Sequence, residues 1–235
     1  MARSLQLYDK LLQFTLFQGI SHGDLMQMVA HTKFGFLKFP PGKRIFRNGD
    51  RCDRLYFLIN GCLRAETVSD DGTYSFTEEI EAPYVIQPER LFGIEQRFQG
   101  TMRTLTDVNF ITIDKKEVAN LSDSIIVFRL NLLNILAAQV QQLRRSPWGF
   151  CPSGLRGRIA LFVASRCQSP TGPKTVRILM ERLGCELNAS RLEISRALNA
   201  MQAEGLVVLS RGRIVVPALE RLVASYGSES AGAGS

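Results

Sequence analysis

Apolar residues recur with one period near the start of the chain, another through its middle and a third beyond residue 120. Before residue 30 they fall at helical spacing: Leu11, Leu12, Leu16 and Phe17, a break at Gly19, then Leu25, Met28 and Val29 behind Ser21. From residue 34 to about 113 the period shortens to that of strands. Phe34 and Phe36 alternate, Leu37 and Phe39 follow, Pro40-Pro41-Gly42 turns the chain, and Ile45-Phe46 leads to Asn48-Gly49. The run 55–59 ends at Asn60-Gly61, a short-range hairpin signal. Residues 62–68 return, Asp70-Asp71-Gly72 turns again, residues 74–80 continue, and 108–113 make the last strand. Short strands separated by glycine turns predict an antiparallel roll or barrel.

The third regime is one long helix. Ser122 or Asp123 caps it and it runs to about Arg145, about 33 Å at 1.5 Å per residue. Ile126, Leu130, Leu133, Ala137 and Val140 recur at 4-3-4-3 spacing, a coiled-coil seam. A second stripe, Ile125, Phe128, Leu132, Leu136 and Leu143, is placed to cover the barrel, and only Arg129 is charged between Ser124 and Leu143. A helix apolar on two faces needs two partners. The barrel supplies one; the same helix of a second copy supplies the other, making a homodimer. A central core helix in a monomer is the alternative. A membrane span is excluded by Asn131, Asn134, Gln139, Gln141 and Gln142. Two prolines and two glycines in 146–154 then end the helix and mark a domain boundary.

Beyond a helix at 155–165 and a loop at 168–174, residues 180–216 form a compact unit. Met180, Leu183 and Leu187 line one face of a short helix, and Asn188-Ala189 interrupts it, asparagine tolerating the left-handed backbone of a tight turn. Ser190 and Glu193 form a Ser-x-x-Glu capping box for a second helix, 191 to about 203. That helix keeps Leu192, Ala197, Leu198 and Met201 as apolar positions, with Arg191, Ser195, Arg196 and Asn199 mostly on another face. Gly205 ends it; 206–209 is a strand, 210–213 a turn carrying Arg211 and Arg213, and 214–216 the return. Two helices, a short turn and a basic hairpin match a winged helix-turn-helix, whose second helix enters the major groove while the wing touches phosphate. A helical hairpin with solvated arginines is the bland alternative.

Charge agrees with a polyanionic partner. Residues 1–150 carry 18 Lys/Arg against 16 Asp/Glu, whereas the shorter 151–235 carries 11 against 6, so most of the net +7 sits in the C-terminal part. No basic amphipathic helix with large exposed apolars points to a membrane surface. Cysteines 52, 62, 151, 167 and 185 are scattered, odd in number and never spaced Cys-x-x-Cys, and with no signal peptide at the start they read as reduced cytosolic thiols filling apolar gaps. No Walker loop, nucleophile elbow or His-Glu-x-x-His helix occurs, and His22 and His31 are the only histidines, so neither catalysis nor a metal site is expected.

The run Leu183-Gly184, Asn188-Ala189-Ser190-Arg191, Ile194-Ser195-Arg196-Ala197-Leu198 and Glu204-Gly205-Leu206 resembles the C-terminal domain of Crp/Fnr transcription regulators. Gly42, Gly49 and Gly61 stand where cyclic-nucleotide-binding barrels place turn glycines, and Leu16-Phe17 to Gly19-Ile20-Ser21 is similar to the entry of that sensor domain. The resemblance implies an α+β chain: a cyclic-nucleotide-binding-like roll with N-terminal helices (1–121), a dimerisation helix (122–146), a hinge (147–154), a winged helix-turn-helix (155–226) and a disordered tail (227–235). It further implies a cytoplasmic homodimer on a palindromic double-stranded operator, with RNA polymerase as a further partner. Ser190, Arg191, Glu193, Ser195, Arg196, Asn199, Arg211 and Arg213 make up the expected DNA surface, Arg191, Ser195 and Arg196 falling where members contact bases and phosphates. Leu192 departs from the glutamate that the family often carries there.

The effector is the open question. Cyclic-nucleotide-binding members lead from a Gly-Glu-Leu turn to an Arg-Ser or Arg-Thr pair; here the stretch reads Phe92-Gly93-Ile94-Glu95-Gln96-Arg97-Phe98-Gln99-Gly100. The glutamate is displaced, the loop before Arg97 is short, and Phe98 replaces the small hydroxyl residue, so cyclic AMP is not expected to bind. Phe92, Glu95, Arg97, Phe98 and Arg103 are the candidate pocket for another ligand. Iron–sulfur members use a clustered N-terminal cysteine set that this chain lacks; a haem- or nitric-oxide-sensing member stays open. A cyclic-nucleotide-responsive subunit that binds protein rather than DNA is the competing function.

Overall fold

The structure is a computed structural model that describes residues 2–148, 152 and 154–227. It falls into two compact units: residues 1–63 with 80–142, and residues 64–79 with 143–235.

The first unit opens with α1 (Ala2–Leu11), a 3-10 turn at Thr15–Phe17 and α2 (His22–His31). Ser21 caps α2 by accepting the Asp24 amide at 3.1 Å. Next come β1 (Phe34–Phe39), β2 (Arg44–Phe46) and β3 (Arg54–Asn60). The strands β4 (Cys62–Val68) and β5 (Ser75–Glu81) lead to β6 (Tyr84–Ile86), β7 (Thr101–Thr104) and β8 (Val108–Asp114). One sheet runs β1-β8-β3-β6, and β2 pairs with β7 beside it, both antiparallel, as the expected roll requires.

Asn60-Gly61 is not a hairpin turn, because β3 pairs with β6 and β8 rather than with β4. Gly61 sits at φ +93°, and a Cβ there would lie 2.3 Å from the Asp107 carbonyl oxygen. The glycine therefore serves a close backbone approach at a corner where the chain leaves one sheet.

The helix expected from 122 to 145 is two helices. Ser122 and Asp123 belong to α3 (Lys115–Ser124), and α4 (Ile126–Trp148) begins after Ile125, which is extended at φ −122°. The two axes differ by 119°, and neither alone is long and apolar enough to cross a membrane. Nothing in the sequence around Ile125 (no Gly, no Pro) marks the break. Phe128 and Leu132 of the second stripe are buried, Phe128 against Phe17 (centroids 5.7 Å), which packs on Phe57. Asn131 Nδ2 donates to the carbonyls of Leu16 (3.1 Å) and Gln18 (2.8 Å), fixing α4 in register with the N-terminal turn. Ile126, Leu130, Leu133, Ala137 and Val140 lie exposed on the other face.

The second unit comprises α5 (Leu155–Ala164), β9 (Lys174–Arg177), α6 (Met180–Leu187), α7 (Arg191–Ala203), β10 (Val208–Ser210), β11 (Arg213–Val216) and α8 (Leu219–Gly227). Ile159, Phe162, Leu183, Ile194, Leu198, Met201 and Leu222 share its core with residues of the hairpin and sheet. The stretch 168–174, expected as a loop, already enters β9 at Lys174, and β9 pairs with β11. On its other side β9 pairs antiparallel with β5, Phe76 opposite Val176, so that the hairpin 64–79 is part of this unit although the sequence groups it with the roll. Phe76 stacks at 5.7 Å from Phe162.

A buried ion pair closes that contact. Glu78 and Lys174 are 4% and 1% exposed, with Lys174 Nζ 2.9 Å from Glu78 Oε2. The carboxylate also accepts the amides of Gln168 (2.8 Å) and Ser169 (2.9 Å). At the hairpin tip, Asp71 meets Arg182 of α6 at 3.0 Å, and Arg166 donates to the Tyr74 hydroxyl at 3.2 Å.

Of the hinge expected at 147–154, residues 149–151 and 153 lie outside the described residues, and its first two residues belong to α4. The expected tail, Gly227 apart, also lies outside them.

Candidate DNA interface

The helix-turn-helix is set by three local devices. Asn188 takes the left-handed conformation (φ 47°, ψ 55°) at the end of α6, where it is the C-cap. Gly184 admits the returning chain: a Cβ there would lie 2.5 Å from the Ala189 carbonyl oxygen, so any larger residue would push the helices apart. The capping box is complete, with the Glu193 amide donating to Ser190 Oγ (3.2 Å) and the Ser190 amide to Glu193 Oε2 (2.8 Å). The Ser190 hydroxyl also donates to that carboxylate at 2.7 Å, and these bonds hold the Glu193 carboxyl below its ordinary pKa. Ser190 Oγ and Glu193 Oε2 thus start the helix.

The remaining polar residues of α7 face outward. Arg191 and Arg196 are exposed, Asn199 is exposed with Nδ2 at 3.5 Å from Ser195 Oγ, and Ser195 is half-buried. Arg191 reaches Glu181 at 3.4 Å, an exposed pair that costs little to break. One apolar assignment fails: Leu192 is exposed and belongs to this outer face, while Ile194 takes the fully buried place. The wing is also shifted. Its turn is the two residues Arg211-Gly212, with Gly212 at φ +69°, and Arg213 begins β11 opposite Ser210. Leu206 and Val207, read as strand, are buried ahead of β10. Both wing arginines remain exposed.

In the roll, the five residues of the candidate effector pocket each make their own contacts. Phe98 is 2% exposed and stacked on Phe46 (4.2 Å), inside an aromatic cluster with Tyr56 and Phe110. Arg97 donates to the Gly49 carbonyl at 2.8 Å, whereas Glu95 pairs with Arg90 at 3.4 Å. Phe92 lies under the Lys115 ammonium, 5.0 Å from the ring centroid, and Lys115 also reaches Gln96. Arg103 is on β7 opposite Arg44. Sequence reasoning missed the Gln87–Gln99 clasp that holds this stretch, Gln87 Nε2 to the Gln99 carbonyl at 2.7 Å and the return bond at 2.9 Å.

Two cysteines are chemically quiet. Burial, then the charge of Asp53, pushes the Cys52 thiol up to about 11. Burial, then the charge of Glu78, pushes Cys167 up to about 12. Neither is a thiolate at neutral pH.

Residues 36–124 match the cyclic nucleotide-binding domain family. Over 207 residues the chain is 25% identical to the cAMP-activated global transcriptional regulator Vfr of Pseudomonas aeruginosa, covering 84% of this chain and 94% of that one. It is 22% identical over 218 residues to the CRP-like cAMP-activated global transcriptional regulator of Mycobacterium tuberculosis, covering 88% and 94%. The catabolite activator protein of Thermus thermophilus shares the fold, with a TM-score of 0.51 at 20% identity over 92% of this chain and 99% of that one. A cyclic nucleotide-binding domain, similarity along nearly the whole of two cAMP-activated transcriptional regulators, and a complete helix-turn-helix with its wing agree in supporting a regulator of the Crp/Fnr type.

Proposed function

We propose that the chain is a sequence-specific DNA-binding transcription regulator that reads a palindromic operator as a homodimer. The observation that carries this is the outer face of α7, where Arg191, Ser195, Arg196 and Asn199 stand clear of the core beside a wing bearing Arg211 and Arg213. Such a helix fits the major groove, and arginine reads guanine O6 and N7 with two bonds. Wing arginines at a hairpin tip meet phosphate instead. The exposed apolar stripe of α4 fits the same stripe of a second copy, and a two-fold pair of helix-turn-helix units reads half-sites about one DNA turn apart.

These roles separate by experiment. Arg196→Ala should cost about 1–3 kcal/mol on the selected operator and little on random DNA. Arg211→Ala or Arg213→Ala should weaken both alike and reduce the salt slope by about one. Quantitative gel shifts against salt read both quantities. Equal losses for Arg196→Ala on specific and random DNA would remove that residue from base reading, and no binding to any genomic fragment would favour the protein-binding alternative.

Control is exerted through the roll, by a ligand or state change that shifts the population of DNA-competent dimers. The hairpin 64–79 offers a route besides α4, since it is continuous in sequence with the roll and its tip is bonded to α6 through Asp71 and Arg182. The named relatives are cAMP-activated, yet the cassette here has Arg97 turned to a backbone carbonyl and Phe98 in the core. Calorimetry with cyclic AMP and cyclic GMP should therefore show no saturable heat. Micromolar binding that also tightens operator affinity would reverse this expectation. An absorption spectrum after incubation with haem tests the gas-sensing variant.

A further inference from the structure

Large apolar side chains that stay in water on an otherwise polar face call for an explanation by what the face meets. On α7 there is one, Leu192, 59% exposed at the second position of the helix. At about 100° per residue, it lies between Ser195, Asn199 and Arg196 on the helical wheel, within about 60° of each. The core residues Ile194, Leu198 and Met201 occupy the opposite side. Leucine here contributes nothing to the core, forms no cap and occupies a first turn where acidic residues suit the helix dipole better.

We infer that Leu192 is a specificity-determining residue that packs on the C5-methyl group of a thymine in each half-site. This rests on the DNA-binding reading above and deepens it. The major groove presents donors and acceptors from every base pair, but its one apolar feature is the thymine methyl. A side chain that reaches the groove without a polar atom gains only from that methyl, and it leaves the exocyclic amine of cytosine without an acceptor. Arg196 follows Leu192 by one helical turn, a rise of about 6 Å, or about two base-pair steps. Each half-site should therefore hold a thymine within about two base pairs of the guanine read by Arg196.

The test uses the full chain and an operator selected from randomised DNA. Each thymine is replaced singly, and in symmetric pairs, by deoxyuridine, which removes the methyl and nothing else. The intact protein should lose about fourfold in affinity per half-site at one symmetric position, the loss expected for one buried methyl, and about sixteenfold when both are changed. Leu192→Ala, a substitution on an exposed helical face, should bind thymine and deoxyuridine operators equally. Leu192→Glu should move the selected base at that position toward cytosine. Indifference of the intact protein to deoxyuridine at every position overturns the inference while leaving the regulator reading in place, as does unchanged discrimination in Leu192→Ala. Failure to select any operator overturns both.

Discussion

A Leu130→Glu, Leu133→Glu double variant should sediment as a monomer and lose operator binding. Both leucines sit on the α4 stripe, 51% and 55% exposed in the single chain, so charging them leaves the packing of Phe128 and Leu132 untouched. The monomer should keep its helix content and melting behaviour. In a dimer the same positions would face each other across a seam, and burying four unpaired carboxylates costs several kcal/mol. Each 1.4 kcal/mol is a factor of ten in the association constant, so the dimer should weaken by about a thousandfold or more. Operator affinity should fall by about a hundredfold or more as well, because two half-sites are no longer engaged by one particle. A double variant that still sediments as a dimer would mean the seam lies elsewhere, with α4 contributing some other face.

Glu78→Ala should destabilise the C-terminal unit by about 3–5 kcal/mol, the cost of leaving one member of a buried pair without its partner. Lys174 would keep its charge with no counter-charge, and the amides of Gln168 and Ser169 would lose their acceptor. Against a typical domain stability of about 5–15 kcal/mol, that is a large share. The pair itself need not be a net gain over apolar residues of the same shape. A Glu78→Leu, Lys174→Met double variant should therefore recover most of the loss, apart from the two amides. Urea unfolding followed by circular dichroism measures both. A loss under about 1 kcal/mol for Glu78→Ala would show that water reaches the site.

What the sequence disclosed follows the range of the interactions involved. Ser190 with Glu193, and Asn188 between two helices, act over three or four residues, and the structure has the cap and the left-handed turn where the pattern put them. Leu192 was misassigned because a short helix with seven apolar residues allows more than one apolar face, and only packing against α5 and the sheet selects Ile194. The break at Ile125 has no Gly or Pro to announce it. Asn60-Gly61 carried a true local signal whose physical cause, the approach of the Asp107 carbonyl, lies 46 residues away. More distant still is the pairing of β5 with β9, joining residues about a hundred apart. A lysine inside the alternation 174–178 was its sole trace, since a strand seldom buries a lysine without a carboxylate waiting for it.

That pairing bears on how such regulators are cut and recombined. Domain exchange would naturally join a foreign sensor to this chain at the proline- and glycine-rich 146–154. The C-terminal piece obtained that way would lack 64–79, and β9 would become the rim of its sheet, with unpaired backbone groups. An uncovered strand of this kind recruits strands from other chains, so the fragment would be prone to clump at concentrations where the parent stays dispersed. A transplantable reading head from this chain is therefore a discontinuous module, and the guest roll must supply a hairpin with a carboxylate at the place of Glu78.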